Sequence, residues 1–288
     1  MTGSDIVLVD TCPSQAAAGV ALLGMPDSGK STYLAALYHL LTEDVPDVAV
    51  RLLRQPEQRA YLEALRTAWL AGEPIGRTSK DDGELVELDL SVGDRHVRFS
   101  IPDIAGECFR DVIAHRQADA LIAQLVQQAS GLLLFTHPDQ LRPRVMISEA
   151  KELAELAGES YSPPQGQDFD PLLIPAETHL VDLLQWAGDT RQRAIPRRLA
   201  IVISAWDRCD GLTPQQWLEA RMPMLRHYLD GHPDVYTTAI YGISAQGGAY
   251  GTDLDLAAIR GYERAYVVDA DGTRSHDLTA PLRWAALE

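Results

Sequence analysis

Gly24-Met25-Pro26-Asp27-Ser28-Gly29-Lys30-Ser31 matches the pattern G-x-x-x-x-G-K-[ST] at every fixed position. The pattern encodes a way of holding phosphate. Glycines let successive backbone N–H groups turn toward an anion, Lys30 reaches the terminal phosphates, and the Ser31 hydroxyl is placed to ligate Mg²⁺. Val20-Ala21-Leu22-Leu23 ahead of it is an apolar run of strand type, and Leu34, Leu37, Tyr38 and Leu41 follow at helical spacing. Strand, glycine loop and helix is the order the motif requires, and the helix turns its positive end toward the same anion.

The 288 residues are 46% hydrophobic and 23% charged, an ordinary globular balance with enough chain to bury a sizeable core. No apolar run approaches the ~20 residues a membrane helix needs, and the polar N-terminus does not read as a signal peptide. Cys12, Cys108 and Cys209 are too scattered for a metal site or a disulfide framework, so a reducing cytoplasm is the expected location. A formal net charge of −16 argues against broad nucleic-acid binding, which depends on neutralising phosphates. The densest basic cluster, Arg191, Arg193, Arg197 and Arg198, reads as a solvated loop.

Residues 1–17 read as a lead-in with a strand at Ile6-Val7-Leu8-Val9, and 18–288 as a single domain. Insertions are expected near 45–75 and 139–196. A helix near 56–71 carries Leu62, Leu65 and Trp69 on one face. Val86, Leu88, Leu90 and Val92 alternate with polar residues, and after Gly93-Asp94 so do Val97, Phe99 and Ile101, which predicts a β-hairpin. Helices are expected over 109–129, Met146 to Ala157 and 176–187, with a Pro-rich loop or lid over 158–171. Another is expected over 214–229, kinked or broken at Pro223. Leu132 to Phe135, Leu199 to Ile203 and Val235 to Ile243 read as core strands, and Thr279 to Leu287 as a terminal helix. Strands alternating with helices imply a three-layer α/β fold, a mainly parallel sheet with one antiparallel edge strand from the hairpin.

Three downstream elements narrow the chemistry. Asp103-Ile104-Ala105-Gly106 ends the second hairpin strand, where Asp103 can hold the Mg²⁺ shell and Gly106 can bring its N–H to a γ-phosphate. Thr78, before the hairpin, is placed to close over Mg²⁺ and the γ-phosphate. Ser204-Ala205-Trp206-Asp207 ends a core strand, and the Asp207 carboxylate can accept from guanine N1 and N2, donors that adenine lacks there. Ser244 and Ala245 end the last core strand, where backbone N–H groups can meet guanine O6.

Loop, Thr, D-x-x-G, x-x-x-D and S-A stand in the order seen in Ras-like and translation-factor-like P-loop GTPases, which the chain resembles over residues 18–248. Ile101 to Glu107, Ser204 to Asp207 and Pro281-Leu282-Arg283-Trp284 resemble more narrowly the bacterial double-GTPase families of multi-gene conflict systems. The resemblance implies GTP or GDP bound with Mg²⁺ on Gly24, Asp27, Ser28, Gly29, Lys30, Ser31, Thr32, Gly106, Asp207, Ser244 and Ala245. Ser31, Thr78 and Asp103 are the metal candidates, and Lys30, Thr78 and Glu107 the catalytic ones. It implies a switch acting through an effector or a second GTPase, with an activating protein, and dimerisation across the switch face.

The chain departs from the family pattern at two places. Ala205 stands where a Lys stem normally packs on the base, so guanine selection is expected to be weaker, with Trp206 either covering the base or buried as packing. Glu107 stands where Gln usually orients the attacking water, so slow intrinsic hydrolysis is expected, stimulated by an Arg supplied in cis (Arg77 or Arg110) or in trans. Asp27 sits at a position associated with a monovalent cation, which implies stimulation by K⁺. His115 and His137 read as structural. Two alternatives stay open at this stage: an ATPase or small-molecule kinase on the same loop, and a non-hydrolysing assembly module.

Overall fold

The computed structural model describes residues 18–43, 48–75, 85–102, 112, 118, 120–141, 147–161, 174–189, 195–209, 211–249 and 256–286. The apolar run ahead of the glycine loop is β1 (Ala18–Gly24), and the helix after it is α1 (Lys30–Thr42). The alternating segments form β3 (Leu85–Val92) and β4 (Arg95–Pro102), paired antiparallel around Gly93-Asp94, with the short β2 (Val50–Leu52) outside β3. β5 (Gly131–Thr136) and β6 (Arg197–Ile203) carry apolar residues toward both faces, as central parallel strands do, and β7 (Tyr236–Ser244) lies beside β6. β8 (Tyr266–Val268) and β9 (Arg274–Ser275) complete a nine-stranded sheet of order β2-β3-β4-β1-β5-β6-β7-β8-β9.

The five strands β4, β1, β5, β6 and β7 run parallel. One core cluster packs α1, α2 (Arg59–Leu70) and the C-terminal α9 (Ala280–Ala286) on one face through Leu34, Leu37, Leu62, Trp69 and Leu282. The other packs α3 (Ala120–Gln128), α5 (Ala176–Asp189), α6 (Pro214–Arg221) and α7 (Pro223–Gly231) on the opposite face through Ile122, Leu183, Leu218 and Leu225. Two further helices, α4 (Ile147–Leu156) and α8 (Gly261–Arg264), complete the set among the described residues. This is the three-layer α/β arrangement the sequence implies.

Three details differ from expectation or refine it. The sheet carries more antiparallel strand than one edge strand: β2 lies outside β3, and β8 and β9 extend the far edge. These strands are two or three residues long, too short to show a period. Arg197 and Arg198 are not in a solvated loop; they open β6, with Arg197 buried and Arg198 donating to the Trp284 carbonyl at 3.2 Å. The helix expected over 214–229 is two helices, because Pro223 starts α7 and the preceding Met222 (φ −133°, ψ 58°) leaves the helical region. The Ile6–Val9 strand, residues 109–111 and 113–117 of the expected 109–129 helix, and residues 162–171 of the lid lie outside the described residues, as does Leu287.

The parallel strands bring the ends of β1, β5, β6 and β7 to one edge of the sheet. β1 is also where successive strands depart to opposite sides, toward β4 and toward β5. Ligands of open α/β sheets bind in the crevice at such a point.

Candidate functional site

The glycine loop runs from the end of β1 into α1. Lys30 is buried at 6% exposure, and its ammonium donates to the Gly24 carbonyl at 3.0 Å, the Met25 carbonyl at 2.7 Å and the Ser28 Oγ at 3.2 Å. A cation therefore stands at the centre of the loop, held by the loop's own oxygens. Asp27 (φ 59°) and Gly29 (φ 89°) take left-handed conformations. Alternating backbone handedness of this kind turns N–H groups into an anion-binding concavity. Ser31 and Thr32, both half-buried, occupy the first turn of α1.

Gly29 is required for two reasons. Its φ disfavours a side chain, and a Cβ there would lie 2.8 Å from the Ser204 Cβ. Ser204 is buried, and both its N–H (2.9 Å) and its Oγ (3.0 Å) donate to the Thr136 carbonyl at the end of β5. The first residue of Ser204-Ala205-Trp206-Asp207 therefore supports the phosphate loop from behind. The amide of Gln140 donates to the Pro26 carbonyl and ties the loop to the segment after β5. Sequence reading missed Ser204 and Gln140 in these roles, because nothing local distinguishes a polar residue under the loop from one in solvent.

The residues expected to read the base are also together. Ser244 donates to Asp207 Oδ1 at 2.5 Å and accepts from the Gly247 N–H at 3.1 Å, which joins the end of β6 to the end of β7. Ala245 is pinned through its carbonyl, which accepts from Trp69 Nε1 at 2.9 Å. Tyr266 pairs with Ser244 across β7 and β8. Burial, followed by the negative charge of Asp207, pushes its phenol above the ordinary tyrosine range. Asp207 also lines a cavity of about 480 Å³ with Trp206, Thr213, Gln216, Tyr266 and Arg274.

Ala205 adopts φ 45°, a left-handed conformation costing an alanine roughly 1–2 kcal/mol. Trp206 is buried at 7% exposure and packs so closely on β7 that a Cβ on Gly242 would come within 2.2 Å of its indole. Of the two roles open to Trp206, the structure selects packing. His137 accepts from the Asp139 N–H at 3.1 Å, a structural role. Burial lowers its pKa first; Arg208 adds to this, while Asp139, Asp207 and Asp27 oppose it. Arg208 itself pairs with Asp139.

Thr78, Asp103, Gly106, Glu107, Arg77, Arg110 and His115 lie outside the described residues. The strands flanking them are described. Leu85, at the start of β3, pairs with Pro102 at the end of β4, and β4 runs parallel to β1. The chain therefore enters β3 and leaves β4 at the edge where the glycine loop stands.

Among the described residues no group of three or more His, Cys, Asp or Glu side chains is placed to hold a metal. Where Mg²⁺ accompanies a nucleotide it commonly keeps several waters and is bound through a few protein oxygens and substrate phosphates. Ser31 is the described residue whose position fits it. No helix among the described residues is long and apolar enough to cross a membrane.

A family model described as Double-GTPase 1 matches residues 21–285. No curated protein matches the chain. Among solved structures, sup35 complexed with GDP is similar at 15% identity over 85% of this chain and 41% of its own, with TM-score 0.34. The nucleolar GTP-binding protein 1 of Plasmodium falciparum is similar at 10% identity over 83% and 82%, with TM-score 0.37. The signal recognition particle receptor SRb-GTP/SRX complex of Chaetomium thermophilum is similar at 14% identity over 82% and 94%, with TM-score 0.38. The chain thus spans less than half the length of the sup35 chain. With the family model covering the glycine loop and nearly all of the sheet, the chain belongs to the Double-GTPase 1 family.

Proposed function

We propose that this GTPase is a Mg²⁺-dependent molecular switch that acts through a partner protein. The observation that carries the reading is the β3–β4 hairpin. Its two open ends, at Leu85 and Pro102, face the edge of the glycine loop, and this supports reading residues 74–80 and 103–117 as the two switch segments. Segments so placed can be ordered by a γ-phosphate and released when it leaves.

The residues take these roles. Lys30 and the loop amides of Asp27, Ser28 and Gly29 hold the β- and γ-phosphates, with Thr32 in the same helical turn. Ser31, Thr78 and Asp103 would hold Mg²⁺, which would neutralise charge on the phosphates. The Gly106 N–H contacts the γ-phosphate, and Glu107 orients the attacking water. Asp207, fixed by Ser244, reads guanine N1 and N2, and the N–H groups at Ala245 meet O6. Asp27, in its left-handed conformation beside the phosphates, is the position for K⁺. With Glu107 in place of Gln, intrinsic hydrolysis is slow and an activating protein raises it.

The partner is an effector or a second GTPase of a bacterial multi-gene defence system, working in the cytoplasm. Dimerisation across the switch face is part of the proposal.

Hydrogen–deuterium exchange with Mg²⁺ and either GDP or a non-hydrolysable GTP analogue tests the switch. Residues 74–80 and 103–117 are expected to gain protection with the analogue. Equal exchange in the two states, with both nucleotides bound, rejects it. Phosphate release measured in sodium and potassium buffers tests the cation role, and equal rates remove K⁺.

A further inference from the structure

Trp69 lies fully buried in the last turn of α2, and its Nε1–H donates to the Ala245 carbonyl at 2.9 Å, across 176 residues of chain. The indole is held from several sides. The Arg264 guanidinium stands 4.0 Å over the ring; its Nη2 donates to the Trp69 carbonyl at 2.5 Å and its Nη1 to the Leu256 carbonyl at 2.7 Å. The His39 ring of α1 lies 5.2 Å away between centroids, and a Cβ on Gly261 would come within 3.0 Å of the indole. Arg264 also presses on the loop after β7, where a Cβ on Gly247 (φ 81°) would lie 2.3 Å from its Cγ. An indole has one donor and no acceptor, so a ring fixed in this way aims one hydrogen bond at one point.

That point governs the backbone of Ala245. On its N-terminal side, Ser244 is the last residue of β7 and pairs with Tyr266 of β8. On its C-terminal side, the carbonyl is held by Trp69. Peptide units are planar, so a residue held on both sides has the direction of its N–H set. We infer that Trp69 is a positioning residue of the guanine site, and that it fixes the direction in which the Ala245 N–H is offered to the base. The inference rests on reading Asp207 as the contact to N1 and N2 and the Ala245 N–H as the contact to O6. Being fully buried, Trp69 acts through Ala245 rather than on the nucleotide. A loop already in its binding conformation need not be ordered when the base arrives, so the indole bond registers as affinity. The effect is confined to bases with an acceptor at that place. Guanine carries O6 there, whereas adenine presents an amine.

Titration of GDP, inosine diphosphate and ADP against wild type, Trp69→Phe and Asp207→Ala tests this, with melting of the nucleotide-free proteins. Inosine diphosphate keeps O6 and N1–H and lacks the N2 amine. Trp69→Phe keeps an aromatic ring against Arg264 and removes the donor. It is expected to weaken GDP and inosine diphosphate alike, about five- to tenfold, and to change ADP by less than about twofold. Asp207→Ala is expected to weaken GDP more than inosine diphosphate. Equal weakening of all three nucleotides by Trp69→Phe, or none, overturns the proposal, because a packing role has no preference for a base. A larger loss for GDP than for inosine diphosphate overturns it too, since the effect would then run through N2. If Asp207→Ala leaves the GDP-to-ADP ratio unchanged, the guanine reading itself has failed; a selective Asp207→Ala beside an unselective Trp69→Phe rejects the positioning role alone. The benzothienyl analogue of Trp69 replaces the N–H by sulfur and keeps the ring's shape. It carries the same expectations where Trp69→Phe melts below the assay temperature.

Discussion

The Ser244 hydroxyl donates to Asp207 at 2.5 Å while accepting from the Gly247 N–H at 3.1 Å, so one side chain orients the carboxylate and closes the loop that follows β7. Ser244→Ala removes both contacts at a fully buried position. The loss is expected to be about 1–2 kcal/mol of guanine-nucleotide binding, roughly 5–30-fold in Kd. Isothermal titration with GDP measures it, and an unchanged Kd would show that the carboxylate is oriented without the serine.

Gly29→Ala tests the support of the glycine loop by the end of β6. Its Cβ would lie 2.8 Å from the Ser204 Cβ, on a residue at φ 89°. Strain and overpacking together should cost on the order of 2–4 kcal/mol and abolish nucleotide binding. Gly93→Ala is the control. At φ 60° it has no described atom within 4 Å of an added Cβ, and should cost about 1 kcal/mol with binding intact. Equal denaturation midpoints for the two variants would mean that Ser204 yields to the added methyl.

Ala205→Gly should stabilise the protein. Ala205 holds φ 45°, and glycine relieves that strain at the expense of a more flexible unfolded chain, leaving a net gain of about 0.5–1 kcal/mol. Urea unfolding of the nucleotide-free protein measures this. A lower midpoint in the variant would refute it.

His39 makes stability depend on mild acid. It is buried between α1 and α2, packs at a tilt of 43° against Trp69 with ring centroids 5.2 Å apart, and accepts from Arg66 Nε at 3.2 Å through Nδ1. Burial first, then the Arg66 charge, lowers its pKa below the ordinary 6.5; Glu43 opposes this and Arg264 adds to it. A histidine whose folded pKa is depressed stabilises the fold through its neutral form. That contribution is complete above about pH 6.5 and is lost as pH falls through the folded value. Melting temperature should therefore fall between pH 7 and 5, and less steeply in His39→Gln, which keeps an acceptor for Arg66 but does not titrate. Parallel pH profiles would remove His39 as the cause.

What was legible in the sequence was local. Gly24 to Ser31 carries its own backbone requirements, the alternation in 86–101 has the period of a strand, and Pro223 breaks a helix wherever it occurs. Asp207 and Ser244 could each be placed at a strand end because a strand's apolar run also marks where it stops. Their roles as a pair could not be read, since 37 residues separate two side chains that meet only when β6 and β7 align.

The sequence by itself determined that this chain binds phosphate on a strand–loop–helix unit within a three-layer α/β fold, because that chemistry and those periods reside in neighbouring residues. Only the tertiary structure decided which polar residues are buried and against what. Ser204 lies under Gly29, Trp206 packs on β7 rather than over a base, and Arg197 is buried in β6. The Gln246 amide is enclosed without a hydrogen-bond partner among the described residues. Burial arises from packing among distant segments, and a polar side chain has the same local sequence signature in solvent as in a core.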